Sequence, residues 1–173
     1  MFSNFKLDKY LNKKPPSDNS ITTRNEINKI NKIPIRENFV KEKDDGAKNF
    51  EKIVGKDPVI KQIIDESGPI IDKLKKHYNR PRPKVLAKKM GIDMKDIELK
   101  SMKSPAYPSG HSVQGYLLAH TLSDKYPLKR DELMKMARDI SYSRQVAHAH
   151  YPSDSLFGEQ IGRDMAGHIK KGS

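Results

Sequence analysis

The sequence predicts an all-α protein, a single helical-bundle domain behind a poorly structured N-terminal arm, and three observations carry that prediction. From Phe50 to Ile169 the apolar residues recur at three- and four-residue intervals. No stretch alternates polar and apolar residues as a half-buried strand would, and no internal repeat is present. Prolines at 127 and 152 fall at the ends of periodic stretches, where they stop helices.

Residues 1–46 are rich in Lys, Asn and Ser, carry scattered single apolar residues, and sustain neither a 3.6 nor a 2 period. They read as a mobile arm or irregular wrap. The compact domain is expected over 47–173. Phe50, Ile53 and Val54 make a first helical set, interrupted by Pro58, and Val59, Ile60, Ile63 and Ile64 continue to Ser67-Gly68. Pro69 suits the first turn of a further helix bearing Ile70, Ile71 and Leu74. Asn79-Arg80-Pro81-Arg82-Pro83 cannot lie inside a helix, because each proline removes a donor and restricts the residue before it. A short helix over 84–90 ends at Gly91, and residues 93–110 form a long loop of the kind that often carries function. A helix over 112–126 places Val113, Tyr116, Leu117 and His120 near one face, and another over 129–150 carries Leu133, Met136, Ala137, Ile140, Ser143 and Ala147. Ser153 is the expected N-cap of the last helix, with Phe157, Ile161, Met165 and Ile169 as its stripe and a groove of Gly158, Gly162 and Ala166 beside it.

Composition narrows the function classes. Without cysteine there is no disulfide, no thiol catalysis and no cysteine metal site. No apolar run approaches the roughly 20 residues that span a bilayer. The opening MFSNFKLDKYLNKK has no apolar h-region, so a soluble, cytoplasmic or intracellular protein is expected. The net charge of +12 favours anionic partners. Residues 73–92 hold eight Lys or Arg and no acid, which reads first as a solvated helical face and second as a nucleic-acid patch. Nucleic acid is the less favoured partner, because no recognition motif accompanies the patch.

Three segments hold polar residues that a bundle core would not choose. Lys75 stands six residues before Arg82-Pro83; Pro108-Ser109-Gly110-His111 opens a helix; Ser143-Arg144 is followed by His150 and Asp154. A helix start offers free N–H groups and a dipole that favours an anion, Gly110 lets the backbone approach closely, and the Ser109 hydroxyl can donate. Arg82 and Arg144 supply planar forks matched to phosphate oxygens and Lys75 a point charge, so three fixed cations could stabilise a phosphoryl group in place of a metal. Asp154, four residues after His150, can accept from one imidazole nitrogen and leave the other free to attack. Ser143 and His150, seven apart, are expected on nearly one helical face. His148 and His150 form a His-x-His pair, but no acidic cluster completes a metal site, and no metal or cofactor is expected. Each segment alone is an ordinary turn, basic loop or helix surface; their joint occurrence is specific.

The pattern Lys-x6-Arg-Pro, Pro-Ser-Gly-His, Ser-Arg-x5-His-x3-Asp resembles the three-part signature of the type-2 phosphatidic-acid phosphatase superfamily. The soluble bacterial class A non-specific acid phosphatases are its nearest counterpart. The resemblance covers Lys75 to Asp154. It implies a helical fold of the acid phosphatase and vanadium haloperoxidase type, and a metal-independent phosphatase acting on soluble phosphomonoesters, nucleotides among them, through a phosphohistidine. On it, His150 is the nucleophile, Asp154 orients it, and His111 is the general acid and base. Lys75, Arg82, Ser109, Gly110 and Arg144 bind the phosphoryl oxygens. A second register, Lys73 with Arg80-Pro81, also satisfies the first motif. The same site would serve pyrophosphate or nucleoside triphosphates, and a homodimer is in keeping with the class A resemblance. A basic nucleic-acid-binding module without catalysis is the reading from another class. The spacing of 31 residues between His111 and Ser143 is short for the family, and the basic arm has no counterpart in it.

Overall fold

The computed structural model describes residues 1–173, and it places one helix at the centre, packed against four others. In chain order the helices are α1 (Asp8–Leu11), α2 (Ile21–Asn31), α3 (Glu37–Asp44), α4 (Gly46–Val54) and α5 (Pro58–Tyr78). They continue with α6 (Pro83–Lys89), α7 (Gly110–Lys125), α8 (Arg130–Val146) and α9 (Pro152–Gly172); there is no strand. The central helix is α7, which packs most extensively on α9 and α8. Val113, Leu117, Leu118, Ala119 and Leu122, spread around its circumference, are all buried. A helix apolar on every side belongs inside a protein.

The small-residue groove on α9 faces α7. A Cβ at Gly158 would lie 2.8 Å from the Ser109 carbonyl oxygen; one at Gly162 would lie 2.9 Å from the Leu117 amide nitrogen and closer still to the Val113 carbonyl. Backbone therefore touches backbone along this seam, which holds the start of α7 against the start of α9. Phe157, Ile161 and Met165 bury the adjacent stripe.

Three local expectations change. Pro69 does not begin a helix but lies inside α5, which runs unbroken for 21 residues. The buried set Ile60, Ile63, Ser67, Ile71 and Leu74 keeps one face across the proline, so packing outweighs the lost hydrogen bond. α8 ends at Val146 rather than near His150, because His148 takes a left-handed conformation (φ 56°). His150 therefore lies off the helix and does not share a helical face with Ser143. α9 is capped at Tyr151 rather than Ser153, and Pro152 is its first residue, where a missing N–H costs nothing.

The N-terminal 46 residues, expected to be poorly structured, contain three helices seated on the bundle. Single apolar residues, too sparse to show a period, each find a buried place: Tyr10, Ile27, Ile30 and Val40 are fully covered. Ile27 and Ile30 pack with Leu86, Ala106 and Tyr151; Val40 packs with Val146, Ala147 and Ala149. Polar ties add to this. The Tyr10 hydroxyl donates to Asp164 (2.6 Å), the Tyr107 hydroxyl to the Lys13 carbonyl (2.8 Å), and both ring nitrogens of His148 face carbonyls, of Lys95 (2.7 Å) and Ile33 (2.8 Å). No helix is long and apolar enough to cross a membrane.

Gly162→Ala should lower stability by about 1–3 kcal/mol, because α9 must shift off α7 to admit the methyl group. Gly167→Ala on the same helix, with open space around it, should instead stabilise by about 0.5–1 kcal/mol. Urea unfolding midpoints of the two variants check the contrast.

Candidate active site

The site forms where the starts of α7 and α9 meet the end of α5, the α5–α6 connection and the end of α8. Lys75 lies in the last turn of α5 and is buried, whereas Lys73, two residues earlier, is exposed. Arg82 is the N-cap residue of α6 and Arg144 sits in the last turn of α8. Of the eight basic residues of segment 73–92, Lys75, Arg80 and Arg82 point into the protein and the other five are exposed.

His150 is the focus. Its Nδ1 is 2.9 Å from Asp154 Oδ2 and its Nε2 is 3.0 Å from an Arg82 guanidinium nitrogen. Arginine only donates, so Nε2 accepts and Nδ1 carries the proton given to Asp154. Burial, joined by the charges of Arg82, Lys75 and Arg144, drives the imidazole well below its ordinary value. It is therefore neutral at neutral pH, with its free lone pair turned toward the cations.

Asp154 is fully buried in the first turn of α9. Oδ2 also accepts the Tyr151 amide (3.0 Å), closing the helix N-terminus, and Oδ1 accepts from Arg80 at 2.7 Å. Burial pushes this carboxyl up. Against that, three donors meet its two oxygens and no acceptor stands by for a carboxyl proton, so the geometry holds the carboxylate. Arg80 reaches Ser153 and Glu26 with the same guanidinium and lies 3.6 Å over the Tyr151 ring. Glu26, on α2, also accepts the Ser153 amide at 2.6 Å. A residue of the N-terminal arm thus supports the carboxylate from behind. Of the two registers, Arg82 donates toward His150 and Lys75 is buried, whereas Arg80 stands behind Asp154 and Lys73 is exposed.

The cations are held by carbonyl oxygens of the 93–110 loop. Lys75 Nζ donates to Pro105 (2.8 Å), and Arg82 donates to Ser104 (2.8 Å), Ser101 (2.7 Å) and, from the other side, Ala149 (2.9 Å). These bonds orient the groups without cancelling their charge. Burial and the neighbouring Arg82 push the Lys75 ammonium down to about 7, and burial pushes Arg82 down to about 10.

Ser109 is the N-cap of α7 and its oxygen accepts the Ser112 amide (3.2 Å) and the Ser112 hydroxyl (2.9 Å). Its own hydroxyl proton remains free to donate. The Ser109 amide donates to the Asp154 carbonyl (3.1 Å), locking the two helix starts together. Gly110 lies against Lys75: a Cβ there would be 3.7 Å from the lysine Cε. The amides of Gly110 and His111, first in the helix, have no intrahelical acceptor.

His111 and Arg144 share a partner the motif reading missed. Asp44, at the end of α3, accepts from Arg144 (2.9 Å) through Oδ1, which also lies 3.4 Å from His111 Nε2; the same nitrogen donates to the Asp44 carbonyl (2.8 Å). The hydrogen bond from His111 and the charge of Arg144 hold this carboxyl down at about 2. His111 Nδ1 is left free of a protein partner. An acidic pair, Asp44-Asp45, inside a basic arm was the one visible hint. Glu26 offered none, and Arg80 was visible in the sequence as the arginine of the second register rather than as a partner of Asp154.

A phosphoryl group fits this setting: a neutral imidazole nitrogen, three cations and a helix start converge, with a second imidazole at the rim. No cluster of three or more His, Asp or Glu side chains stands ready for a metal ion.

The chain belongs to the PAP2 superfamily, whose family model matches residues 63–171. It is similar to the non-specific acid phosphatase of Salmonella typhimurium, 38% identical over 88 residues, which is 51% of this chain and 35% of that protein. The Salmonella typhi protein of the same description is 36% identical over 88 residues, with the same shares. That of Providencia stuartii is 29% identical over 97 residues, 56% of this chain and 39% of the relative. The chain thus matches little more than a third of the length of these curated relatives.

The Lys75 ammonium loses its proton as pH rises through about 7, so anion binding should weaken above that value. Molybdate, a tetrahedral dianion throughout, is the probe. Calorimetric affinity should fall as pH rises through 7 in the wild type, and the fall should move upward in Lys75→Arg, whose charge persists. Identical profiles would remove Lys75 from the anion site.

Proposed function

We propose that this chain hydrolyses soluble phosphomonoesters by way of a phosphohistidine at His150, without a metal. The observation that carries this reading is the set of contacts of His150: Nδ1 bonded to a buried carboxylate and Nε2 turned into Lys75, Arg82 and Arg144. The family membership and the acid phosphatase relatives support the reaction class.

In the first half-reaction, His150 Nε2 attacks phosphorus and the ester P–O bond breaks. The proton on Nδ1 stays hydrogen-bonded to Asp154, which stabilises the positive charge that grows on the ring. Lys75, Arg82, Arg144, the Ser109 hydroxyl and the Gly110 amide hold the three non-bridging oxygens as charge shifts onto the leaving oxygen. His111 gives the departing alkoxide a proton from Nδ1. In the second half, the neutral His111 takes a proton from water, the resulting hydroxide attacks phosphorus, and the P–N bond breaks to return His150 and free phosphate. Three side-chain cations at the phosphoryl group perform the charge stabilisation that a metal otherwise supplies. Arg82 must turn from Nε2 toward the phosphoryl oxygens when substrate enters.

Phosphate release from an aryl phosphate, with EDTA present, tests the reading. Wild type should turn over, and His150→Ala should lose activity below a few per cent with an unchanged circular dichroism spectrum. His111→Ala should slow alkyl phosphates far more than nitrophenyl phosphate, because only the former need a proton on the leaving oxygen. Substantial turnover by a folded His150→Ala variant would move the nucleophile elsewhere, and equal losses across leaving groups would remove the general-acid role.

A further inference from the structure

Beside His111 a cavity of about 350 Å³ opens between α4, α5, α7 and α8. Ile64, Leu118 and Ile140 line it, together with Gln114 as an uncharged polar group and the carboxylates of Asp44 and Asp45. His111 is itself part of the wall, and it is the more exposed of the two site histidines: its side chain is 23% exposed, that of His150 only 4%. The phosphoryl cradle is buried, and of the site residues named from the sequence His111 alone lines this cavity.

The charge of the wall is at odds with the charge of the chain. The protein has 34 Lys and Arg residues, yet none lines this cavity, and two adjacent carboxylates, Asp44 and Asp45, do. Asp44 is paired with Arg144 and His111. Asp45 has no cationic partner: its Oδ1 accepts the Lys48 amide (3.0 Å) as the N-cap of α4, and its side chain is exposed. A group held here meets an apolar floor, one amide and an unneutralised negative charge.

We infer that this cavity receives the leaving group and selects phosphomonoesters of neutral or cationic alcohols of ring size, rejecting anionic leaving groups such as the phosphate expelled from pyrophosphate. This rests on the phosphatase reading above and adds its specificity. Two electrostatic scales act in opposite senses. The overall positive charge draws any phosphate ester toward the protein, and the carboxylates at the cavity then penalise an ester whose other half is negative. The apolar floor favours a ring over a bare hydroxyl, since burying apolar surface is stabilising and burying an unpaired charge is not.

Three esters with one phosphoryl centre separate the effects: phenyl, 3-carboxyphenyl and 3-(aminomethyl)phenyl phosphate, whose meta substituents change the phenol acidity little. Wild type should show kcat/KM for the phenyl ester at least about fivefold above the carboxyphenyl ester, as expected for a unit charge facing a nearby carboxylate. The aminomethyl ester should be no poorer than phenyl, and pyrophosphate should be poorer than all three. Asp45→Asn keeps a good N-cap while removing the charge, so it should reduce the carboxyphenyl penalty at least about twofold and leave phenyl phosphate turnover unchanged. Equal rates on the three esters in wild type, or a penalty untouched by Asp45→Asn, would overturn the cavity assignment and leave the phosphatase reading standing. No hydrolysis of phenyl phosphate would overturn both.

Discussion

The buried carboxylate of Asp154 is the constraint around which the rest of the structure is arranged. It has no access to water, so every lone pair it keeps must be met from the protein. One oxygen meets the His150 ring and the Tyr151 amide, and the other meets Arg80. Removing one partner of such a buried pair typically costs about 3–5 kcal/mol, because the remaining charge stays uncompensated. The same carboxylate closes the N-terminus of α9, where the helix dipole also favours it. A single side chain thus serves helix capping, core electrostatics and the orientation of His150.

That arrangement sets the chemistry the site can perform. His150 is neutral because it is buried among cations, and its tautomer is defined because Asp154 accepts from Nδ1. The cations in turn keep their charge available because backbone carbonyls, rather than carboxylates, orient Lys75 and Arg82. Only Arg144 is paired with an acid, and Asp44 reaches it from the N-terminal arm. The arm therefore contributes at two points: Glu26 behind Arg80, and Asp44 between Arg144 and His111. A bundle lacking these residues would retain its motif but lose a charge partner on each side of the site.

The motif residues were legible in the sequence because phosphate chemistry demands particular side chains at spacings that helix starts and helix ends impose. Ser109-Gly110-His111 lies at the start of α7 as its pattern implied, and the Gly158/Gly162 groove could be recognised from its four-residue interval. What could not be read is what depends on tertiary contact. Pro69 suggested a helix boundary, but the stripe from Ile60 to Leu74 carries α5 through it. His148 looked like part of a helix or of a metal pair, and its left-handed backbone is stabilised by carbonyls more than 50 positions away in the chain. The arm looked irregular because Tyr10, Ile27, Ile30 and Val40 are spaced to meet the bundle rather than one another. Asp44 and Glu26 belong to that arm, so their place at the site was hidden with it.

The central claim is that His150 is held as a neutral imidazole with the proton on Nδ1 and Nε2 unprotonated. Nitrogen-15 NMR of the imidazole in the wild-type protein, without substrate, measures this directly. The account predicts a protonated Nδ1, an unprotonated Nε2, and a ring that stays neutral at neutral pH, its titration displaced below that of an ordinary histidine by burial among cations. An imidazolium signal at neutral pH, or the proton on Nε2, would contradict it.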